Sequence, residues 1–482
     1  MIASSLHPGP VSARCEPRRR WSFGLTARAI GLLTAGFLLV LPGFWDSRLG
    51  YTMLIWDALI LLAAFLDGWR LPEPGRLTAA RSWSNAPALD SETEIELTLE
   101  NQGRMIVNCW MVDDLPPALV ADPAEHRLMV FPRTPARLRY RVEAQERGDC
   151  EAGWLYVRYR SGLGLAERWA RAPLVQTVRV YPALRITEEQ QIFLARSRQI
   201  DLQLRQARQR GLGRDFESLR EYREGDDLRD ICWTATARRG SLITRQYQTE
   251  RSQPVWIVLD CGRLMRSRVA ALAGQSPGSA GKRGEGTGPA AGLPIHSKLD
   301  HACSTAVALA QLALYSGDKV GLLAYGQGIQ QRLLPGRGSD HLRQLIELLA
   351  LVRSEASEAD HLRATAVLNR LQPRRSLILW VTDLAETAGR PEVVDGAVQL
   401  LRRHLLLFVA MAQPEVRLIA RTRPRNVEQM FRSAAAQEMA ARRELLLARL
   451  HDQGALTLDL NPEALTSSVL NQYLAVKERA RV

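Results

Sequence analysis

Two apolar segments near the start of the chain limit what it can fold into. Ala29–Trp45 carries no charge, Leu49–Leu66 carries only Asp57, and a three-residue turn, Asp46–Arg48, separates them. Each segment approaches the roughly 20 residues that an α-helix needs to cross about 30 Å of hydrocarbon. A pair of helices also satisfies its own backbone hydrogen bonds in lipid. We therefore predict a transmembrane helical hairpin within residues 25–70, preceded by a basic N-terminus at 1–24.

A cleaved signal peptide is the alternative, because Arg18–Arg20 precede the first apolar segment. The hairpin is favoured, since no small-x-small cleavage motif follows that segment and the second segment begins at once. Arginines flank the pair on both sides, whereas the turn contains only Arg48. This distribution predicts that everything after residue 70 lies in the cytoplasm. Asp57 would cost about 2.5–3.5 kcal/mol at mid-membrane, so it either faces a partner helix or lies near the lipid surface.

Composition excludes several classes of protein. The 482 residues are 46% hydrophobic and 24% charged, which is typical of globular domains and allows two or three cores. The net charge of +13 comes from arginines spread among acidic residues, without the dense basic block of a nucleic-acid surface, so no nucleic-acid partner is expected. The six cysteines form no CxxC pair, and neither HExxH nor GxxxxGK[ST] occurs. Zinc ribbons, disulfide scaffolds and intrinsic ATP hydrolysis are therefore not predicted.

Two different patterns follow the apolar segments. From residue 77 to 182, short alternating runs such as Glu92–Glu100 are separated by Gly and Pro, which predicts a β-sandwich-like all-β domain. From 253 to 482, continuous apolar runs such as Val255–Asp260 alternate with helical patterns, which predicts a doubly wound α/β domain. A Gly/Ala/Ser/Pro-rich tract at 266–297 is expected to be a flexible insertion. The predicted fold class is thus multidomain, with a hairpin, an all-β domain and an α/β domain in that order.

The region 185–252 between these domains is dense in acidic, arginine and aromatic residues. It could form bidentate Arg–carboxylate pairs on a rigid surface, or it could be a solvated charged loop. Phe216, Tyr222 and Trp233 indicate that part of the region is buried or docks onto another protein. The predicted partner-binding residues are Asp215, Glu217, Arg220, Tyr222, Asp226, Arg229, Trp233 and Arg238.

This region resembles the signature of the bacterial DUF58 family, in which a G-x-D-F-E-x-L-R-x-Y-x-x-G-D-x-x-R-x-I-x-W-x-x-x-A-R pattern precedes a von Willebrand factor A-like domain. The matching residues are Gly213, Asp215, Phe216, Glu217, Leu219, Arg220, Tyr222, Gly225, Asp226, Arg229, Ile231, Trp233, Ala237 and Arg238. The resemblance implies that residues 253–482 form an A-like domain and that the chain is a multi-pass protein of the bacterial inner membrane. It also implies a MoxR-type AAA+ ATPase, together with other membrane or envelope proteins, as partners.

A-like domains typically bind Mg²⁺ through an Asp-x-Ser-x-Ser motif, a Thr and a second Asp, since hard cations prefer oxygen ligands. The resemblance assigns Asp260 and Asp383 to the two acidic positions. Gly262 and Leu264 stand in place of the two serines, and Thr365 is the nearest candidate for the Thr. We expect a degenerate site that serves as an interaction surface, with Mg²⁺ binding as the alternative.

Taken together, these patterns predict a non-enzymatic, membrane-anchored scaffold that recruits partner proteins. A metal-dependent protein- or ligand-binding module that uses the two carboxylates is the second hypothesis. A hydrolase with an unrecognised site is the third. The lipid bilayer is an expected partner, and no catalytic residue or cofactor other than a possible Mg²⁺ is predicted.

Overall fold

The chain folds into two compact units, Met1–Ala183 and Leu184–Val482. The computed structural model describes residues 8–18, 23–38, 51–183, 191–193, 195–196, 215–222, 231–248, 254–270, 295–384 and 392–479. The first unit is mostly β-structure and the second alternates strands and helices, so the predicted multidomain all-β and α/β organisation is confirmed.

The first unit is a sandwich of two antiparallel sheets. Its strands are β1 (Val11–Arg14), β2 (Glu16–Pro17), β3 (Phe23–Leu25), β4 (Leu77–Trp83), β5 (Glu92–Asn101), β6 (Val107–Asp113), β7 (Leu119–Asp122), β8 (Glu125–Val130), β9 (Ala136–Ala144), β10 (Gly148–Ala152), β11 (Leu155–Arg160), β12 (Ala166–Ala172) and β13 (Gln176–Val180). One sheet has the order β1-β4-β5-β9-β7, and the other has the order β2-β12-β11-β6-β8 with β3 also paired to β12. A two-stranded ribbon, β10–β13, completes the set among the described residues. Alternation along β5 turns Ile95, Leu97 and Leu99 into the shared core.

The N-terminal residues differ from their prediction. Residues 1–24 were predicted as a basic N-terminus to which no strand was assigned, but β1 pairs with β4, and β2 and β3 pair with β12. Edge pairing explains the difference, because strands of two to four residues are stable only when a neighbouring sheet supplies their hydrogen bonds.

Two helices interrupt the sandwich: α1 (Ala27–Gly36) and α2 (Tyr51–Arg70). Among the described residues, α2 alone is long and apolar enough to cross a membrane. The ten residues of α1 span only about 15 Å at 1.5 Å per residue. The rest of the predicted first span, up to Trp45, falls largely on residues 39–50, which lie outside the described residues. The hairpin therefore stays a prediction, and Arg28, which precedes the first apolar segment in the sequence, lies in the first turn of α1.

The beginning of α1 and the end of α2 are held by the same loop of the sandwich, between β11 and β12. The carboxylate of Asp67 in α2 is 2% exposed and accepts hydrogen bonds from Ser161 Oγ at 2.5 Å and from the backbone N–H groups of Leu165 and Ala166 at 3.1 Å. Thr26, the N-cap of α1, donates from Oγ1 to the carbonyl of Gly164 at 2.5 Å. Both helices therefore leave the sandwich from one end.

The second unit is built around a six-stranded sheet. The strands of the whole unit are β14 (Asp215–Glu221), β15 (Ile243–Gln248), β16 (Pro254–Asp260), β17 (Arg268–Ala270), β18 (Ile295–Ser297), β19 (Lys319–Tyr325), β20 (Ile329–Gly336), β21 (Leu377–Thr382), β22 (Leu405–Met411) and β23 (Leu456–Leu460). Its helices are α3 (Trp233–Arg239), α4 (Lys298–Tyr315), α5 (Ser339–Leu351), α6 (His361–Leu371), α7 (Glu392–Leu401), α8 (Pro414–Arg421), α9 (Val427–Asp452) and α10 (Leu465–Glu478). The sheet order is β20-β19-β16-β21-β22-β23, parallel except for β20. This is a doubly wound arrangement, in which the strand order reverses direction beside β16.

Burial explains why the central strands read as continuous apolar runs. Every residue of β21 is buried, as is every residue of β16 except Pro254, because helices cover both faces of the sheet. Two elements absent from the sequence prediction are α8, which has no buried residue, and the edge strand β23, whose residues are all half-buried. The predicted insertion at 266–297 is also too wide, since β17 and β18 pair at its two ends. Residues 271–294 between them lie outside the described residues.

A buried histidine makes this unit sensitive to acid. His404 is 4% exposed and its Nδ1 lies 2.9 Å from Ser376 Oγ. Burial, and secondarily Arg403, lowers the pKa of His404 below its ordinary value of 6.5. As the pH falls, the unfolded chain binds a proton on this histidine before the folded chain does. The stability that neutral His404 contributes is therefore complete above about pH 6.5 and is lost as the pH falls toward the lower pKa of the folded state.

We expect His404→Gln to reduce the acid sensitivity of the second unit. The free energy of unfolding should fall between pH 7 and pH 5.5 more steeply in the wild type, by at most about 1.4 kcal/mol per pH unit for one proton. Urea titrations at the two pH values, read by hydrogen exchange of β21 and β22 peptides, measure the difference. Equal pH slopes in the two proteins would contradict the assignment.

Candidate functional site

Two buried carboxylates meet at the carboxyl edge of the parallel sheet. Asp260 ends β16 and Asp383 follows β21, and these strands are hydrogen-bonded neighbours. Both residues are 3% exposed. They lie beside the point where the strand order reverses, which is where ligands bind in open α/β sheets. The two residues that the resemblance assigns to the acidic positions thus share one edge of the sheet.

Asp260 is held by short hydrogen bonds. Thr382 Oγ1 donates to Asp260 Oδ2 at 2.6 Å, and the backbone N–H of Gly262 donates to Oδ1 at 2.7 Å. Burial raises the pKa of Asp260, although nearby His361 and these two donors oppose the rise. Burial also lowers the pKa of His361, whose Nδ1 lies 2.9 Å from Tyr325 Oη. The carboxyl and the imidazole are therefore fixed groups inside the unit.

Asp383 is surrounded by cations supplied by the protein itself. Lys298 Nζ, at the first residue of α4, donates to Asp383 Oδ2 at 2.6 Å, and Gln413 Nε2 donates to the same oxygen at 3.0 Å. Arg443 Nη1, from α9, donates to Oδ1 at 3.0 Å. The Lys298 and Asp383 side chains are 2% and 0% exposed. Both carboxylate oxygens are thus satisfied without an external ligand.

Arg443 links this pair to the ends of three strands. Its guanidinium also donates to the carbonyl of Leu384 at 2.9 Å, to the carbonyl of Met411 at 2.8 Å and to Asp459 Oδ1 at 3.1 Å. Arg417 of α8 binds the other oxygen of Asp459. A fork of this kind fixes α9 against β21, β22 and β23 through charge-assisted bonds.

The side chains at this edge do not fit a Mg²⁺ ion. Within the described residues, no group of three or more His, Cys, Asp or Glu side chains is placed to hold a metal. Gly262 has no side-chain ligand atom, and Leu264 has only carbon. The Thr365 hydroxyl, the sequence candidate for the Thr ligand, donates to the carbonyl of His361 at 2.9 Å, whereas Thr382 binds Asp260. The ammonium of Lys298 already supplies the positive charge that Asp383 requires.

We therefore expect no saturable heat when Mg²⁺ or Mn²⁺ is titrated into the wild-type chain in a calorimeter. Lys298→Ala removes the ammonium beside Asp383 and should, if anything, increase affinity for a divalent cation. Asp260→Ala serves as the control for a signal that depends on the second carboxylate. Saturable binding by the wild type that disappears in Asp260→Ala would contradict this prediction and restore the metal-dependent module.

A cavity of about 320 Å³ opens beside this cluster, between α8 and α9. Its polar lining includes Gln413, Arg417 and Arg443, and its apolar lining includes Val416 and Met439. The cavity joins the buried ion pairs to an exposed helical hairpin, on which Leu418 and Phe431 are each more than two-thirds exposed.

The predicted partner-binding residues are only partly described. Asp226 and Arg229 lie outside the described residues, as do the side chains of Asp215 and Glu217, whose backbone forms β14. Arg220 and Tyr222 are half-buried, and the backbone N–H of Tyr222 donates to the carbonyl of Leu242 at 2.8 Å. Trp233 begins α3 and is 66% exposed, and Arg238 is exposed in the last turn of the same helix.

Sequence reasoning missed Lys298, Thr382, Gln413 and Arg443. Lys298 had one usable signal, because the chain contains only four lysines against 64 cationic residues in total. Arg443 had none, because it is one of many arginines on a long helix and its partner Asp383 is 60 residues away in sequence.

Three solved structures show a limited similarity to this chain. BatB from Bacteroides thetaiotaomicron, a conserved hypothetical protein, is 13% identical, covers 47% of this chain and 100% of its own, and gives a TM-score of 0.28. Proximal thread matrix protein 1 from the mussel byssus is 9% identical over 46% of each chain, with a TM-score of 0.26. An uncharacterized membrane spanning protein from Vibrio fischeri is 13% identical over 46% of this chain and 96% of its own, with a TM-score of 0.16.

Among curated proteins, none matches this chain. A family profile does match, over residues 218–271 and 290–420, and its description is "Protein of unknown function DUF58". The match covers the signature from Ser218 to its end at Arg238, β16 with Asp260, and both residues of the Lys298–Asp383 pair. Over these residues the match supports the resemblance to DUF58 that the sequence indicates.

Proposed function

We propose that the chain is a non-enzymatic adaptor, anchored in a membrane, whose second unit recruits a partner protein. The observation that carries the proposal is the exposure of Trp233 in α3, which is 66% exposed. Leu219 in β14 and Leu242 just before β15 are also exposed apolar side chains of the region 185–252. An exposed tryptophan leaves a large apolar surface in water, and covering that surface with a partner is favourable. Tryptophan is also enriched among the residues that dominate protein–protein binding.

The surroundings of Trp233 suit a partner with an acidic rim. Arg238 and Arg239 are exposed in the last turn of α3, and Arg220 is half-buried on the adjoining β14. An apolar centre with a polar, charged edge is the usual anatomy of a transient interface. The partner that the family resemblance suggests is a MoxR-type AAA+ ATPase, acting in assembly or activation of a membrane or envelope complex.

The carboxyl edge of the sheet supports an adaptor more than an enzyme. Asp260, Asp383 and Asp459 each accept hydrogen bonds from side chains of the protein itself, so they form a rigid internal network. The sheet order with an antiparallel edge strand, β20, is also what a von Willebrand factor A-like binding domain would have. In this proposal the edge stabilises the domain, and the surface around Trp233 binds.

The membrane anchor would be α1 and α2 together with the residues between them. Since both helices leave the same end of the sandwich, the chain before α1 and after α2 must lie on one side of any membrane they enter. Arginines concentrate on these flanks, which favours the cytoplasmic side.

The test is co-purification from gently solubilised native membranes, with mass spectrometry of bound proteins. We expect an AAA+ ATPase to accompany the wild type and to be lost from Trp233→Ala, because the variant removes the largest and most exposed apolar side chain described in this region. Leu334→Ala is the matched control, since Leu334 is similarly exposed but lies on β20. Binding of the purified ATPase to both variants then measures the affinity directly.

Two outcomes would contradict the proposal. If no ATPase accompanies the wild type, the inferred partner is wrong. If Trp233→Ala and Leu334→Ala retain or lose the ATPase equally, the signature surface is not the docking site.

A further inference from the structure

The end of the sandwich from which α1 and α2 leave has an unusual surface. Three loop tips there carry exposed large apolar side chains: Ile106 before β6, Phe131 after β8 and Leu163 between β11 and β12. The register places them together, because Val107 pairs with Val130 and Asn108 pairs with Arg160. Leu163 is 65% exposed and Phe131 is 49% exposed.

These tips are tied closely to the apolar helix α2. Asp67, near the end of α2, binds the loop that carries Leu163 through Ser161 and Leu165. Just beyond α2, the carbonyl of Arg76 accepts from the backbone N–H of Gln102 at 2.9 Å, which fixes the loop that leads to Ile106. No flexible linker therefore separates α2 from this end of the sandwich, so a membrane that contains α2 must begin close to the three tips.

Cations surround the tips. Arg28, Arg104 and Arg133 are exposed on the same end, and Arg160 is half-buried at the end of β11. Acidic residues are also near: Glu73 is exposed after α2, Glu100 is half-buried near the end of β5, and Glu167 lies 3.6 Å from Arg158. Positive charge is therefore in excess where the sandwich would meet lipid phosphates.

An arginine–aromatic ladder continues the cationic surface along the outer face of the second sheet. The ring of Trp110 has three guanidinium groups around it, from Arg160 at 4.2 Å, Arg158 at 5.2 Å and Arg127 at 5.9 Å from its centre. Tryptophan and arginine are the side chains that favour the boundary between lipid and water, because each combines apolar surface with a polar group.

We infer that this end of the sandwich docks on the surface of an anionic phospholipid bilayer, with Ile106, Phe131 and Leu163 entering the headgroup layer and the surrounding arginines binding lipid phosphates. The inference rests on the membrane anchoring proposed above and adds a second, lipid-selective contact. Apolar side chains at such a boundary penetrate by about 5–10 Å, and juxtamembrane cations add attraction to anionic lipids. The sandwich would then stand rigidly on the membrane rather than swing on its helices.

The experiment uses the full chain in lipid nanodiscs, either neutral or containing anionic phosphatidylglycerol. A polarity-sensitive fluorophore is attached to Leu163→Cys, and Val120→Cys at the opposite end of the sandwich is the matched control. Five of the six natural cysteines are buried, and labelled wild type gives the background. We expect the label at 163 to shift to shorter wavelength and to be quenched by lipid-borne quenchers, more strongly with anionic lipid, while the label at 120 stays in water.

A charge variant separates lipid selectivity from simple proximity. Arg28→Gln, Arg104→Gln and Arg133→Gln together should abolish the difference between anionic and neutral nanodiscs, whereas Arg137→Gln, Arg139→Gln and Arg141→Gln on β9 should preserve it. If the chain resists alkaline extraction from membranes but the label at 163 remains in water in both lipids, the inference is overturned and the anchor stands. If alkali extracts the chain, the proposed anchor fails and this inference fails with it.

Discussion

Arg443→Ala should destabilise the second unit by about 3–5 kcal/mol, one of the two largest effects we expect from a single substitution. The guanidinium of Arg443 binds Asp383, Asp459 and the carbonyls of Leu384 and Met411, and its side chain is only 11% exposed. Truncation leaves one oxygen of a buried carboxylate and two carbonyls without their donor. A buried charge that loses its partner costs far more than the net contribution of the pair.

The adjacent residue provides the control. Arg442 is 56% exposed on the same helix and pairs with Glu438 one turn earlier. Arg442→Ala should cost only about 0.3–0.5 kcal/mol, as is usual for an exposed pair at this spacing. Because a chain with two units need not unfold in one step, hydrogen exchange of β21, β22 and β23 peptides across a urea series is the appropriate measurement. Equal costs for the two variants would mean that the network around Asp383 contributes little to the fold.

The contrast between Arg443 and Arg442 shows why the candidate site was only half predictable. The carboxylates were found because they match the two acidic positions that the family resemblance implies, and each of them stands at the end of an apolar strand. Their partners come from elsewhere: Lys298 is 85 residues before Asp383, and Arg443 is 60 residues after it. Nothing local distinguishes a buried arginine from an exposed one on a helix as rich in charge as α9. Whether an arginine of α9 is buried depends on which face of that helix packs against the sheet.

The same distinction applies to the fold. The alternating run of β5 predicted a strand because a half-buried strand must alternate, and the continuous run of β16 predicted a covered parallel strand for the corresponding reason. The strands β1, β2 and β3 were missed, because two to four residues are too few to show a period. They are ordered by pairing with β4 and β12, which are distant in sequence.

The second large effect is expected from Arg81 in the sandwich. Arg81 on β4 and Asp113 on β6 form a salt bridge that joins the two sheets, with side-chain exposures of 0% and 2%. Arg81 also donates to the carbonyls of Leu174 at 2.9 Å and Gly153 at 3.2 Å, and Tyr140 Oη donates to Asp113 at 2.5 Å. Arg81→Ala should destabilise the sandwich by about 3–5 kcal/mol, because the buried Asp113 carboxylate would lose its cationic partner and keep only Tyr140 as a side-chain donor.

A double variant tests whether the cost arises from the unpaired charge. Arg81→Met with Asp113→Asn removes both charges, keeps an acceptor for Tyr140 and retains much of the volume, so it should recover a large part of the stability lost in Arg81→Ala. Arg139→Ala, which removes an exposed partner of Glu96, is the control and should cost less than about 1 kcal/mol. Hydrogen exchange of β4 and β6 peptides reports these differences. If the double variant is as unstable as the sum of Arg81→Ala and Asp113→Asn, the two residues act independently, and the salt bridge is not what joins the sheets.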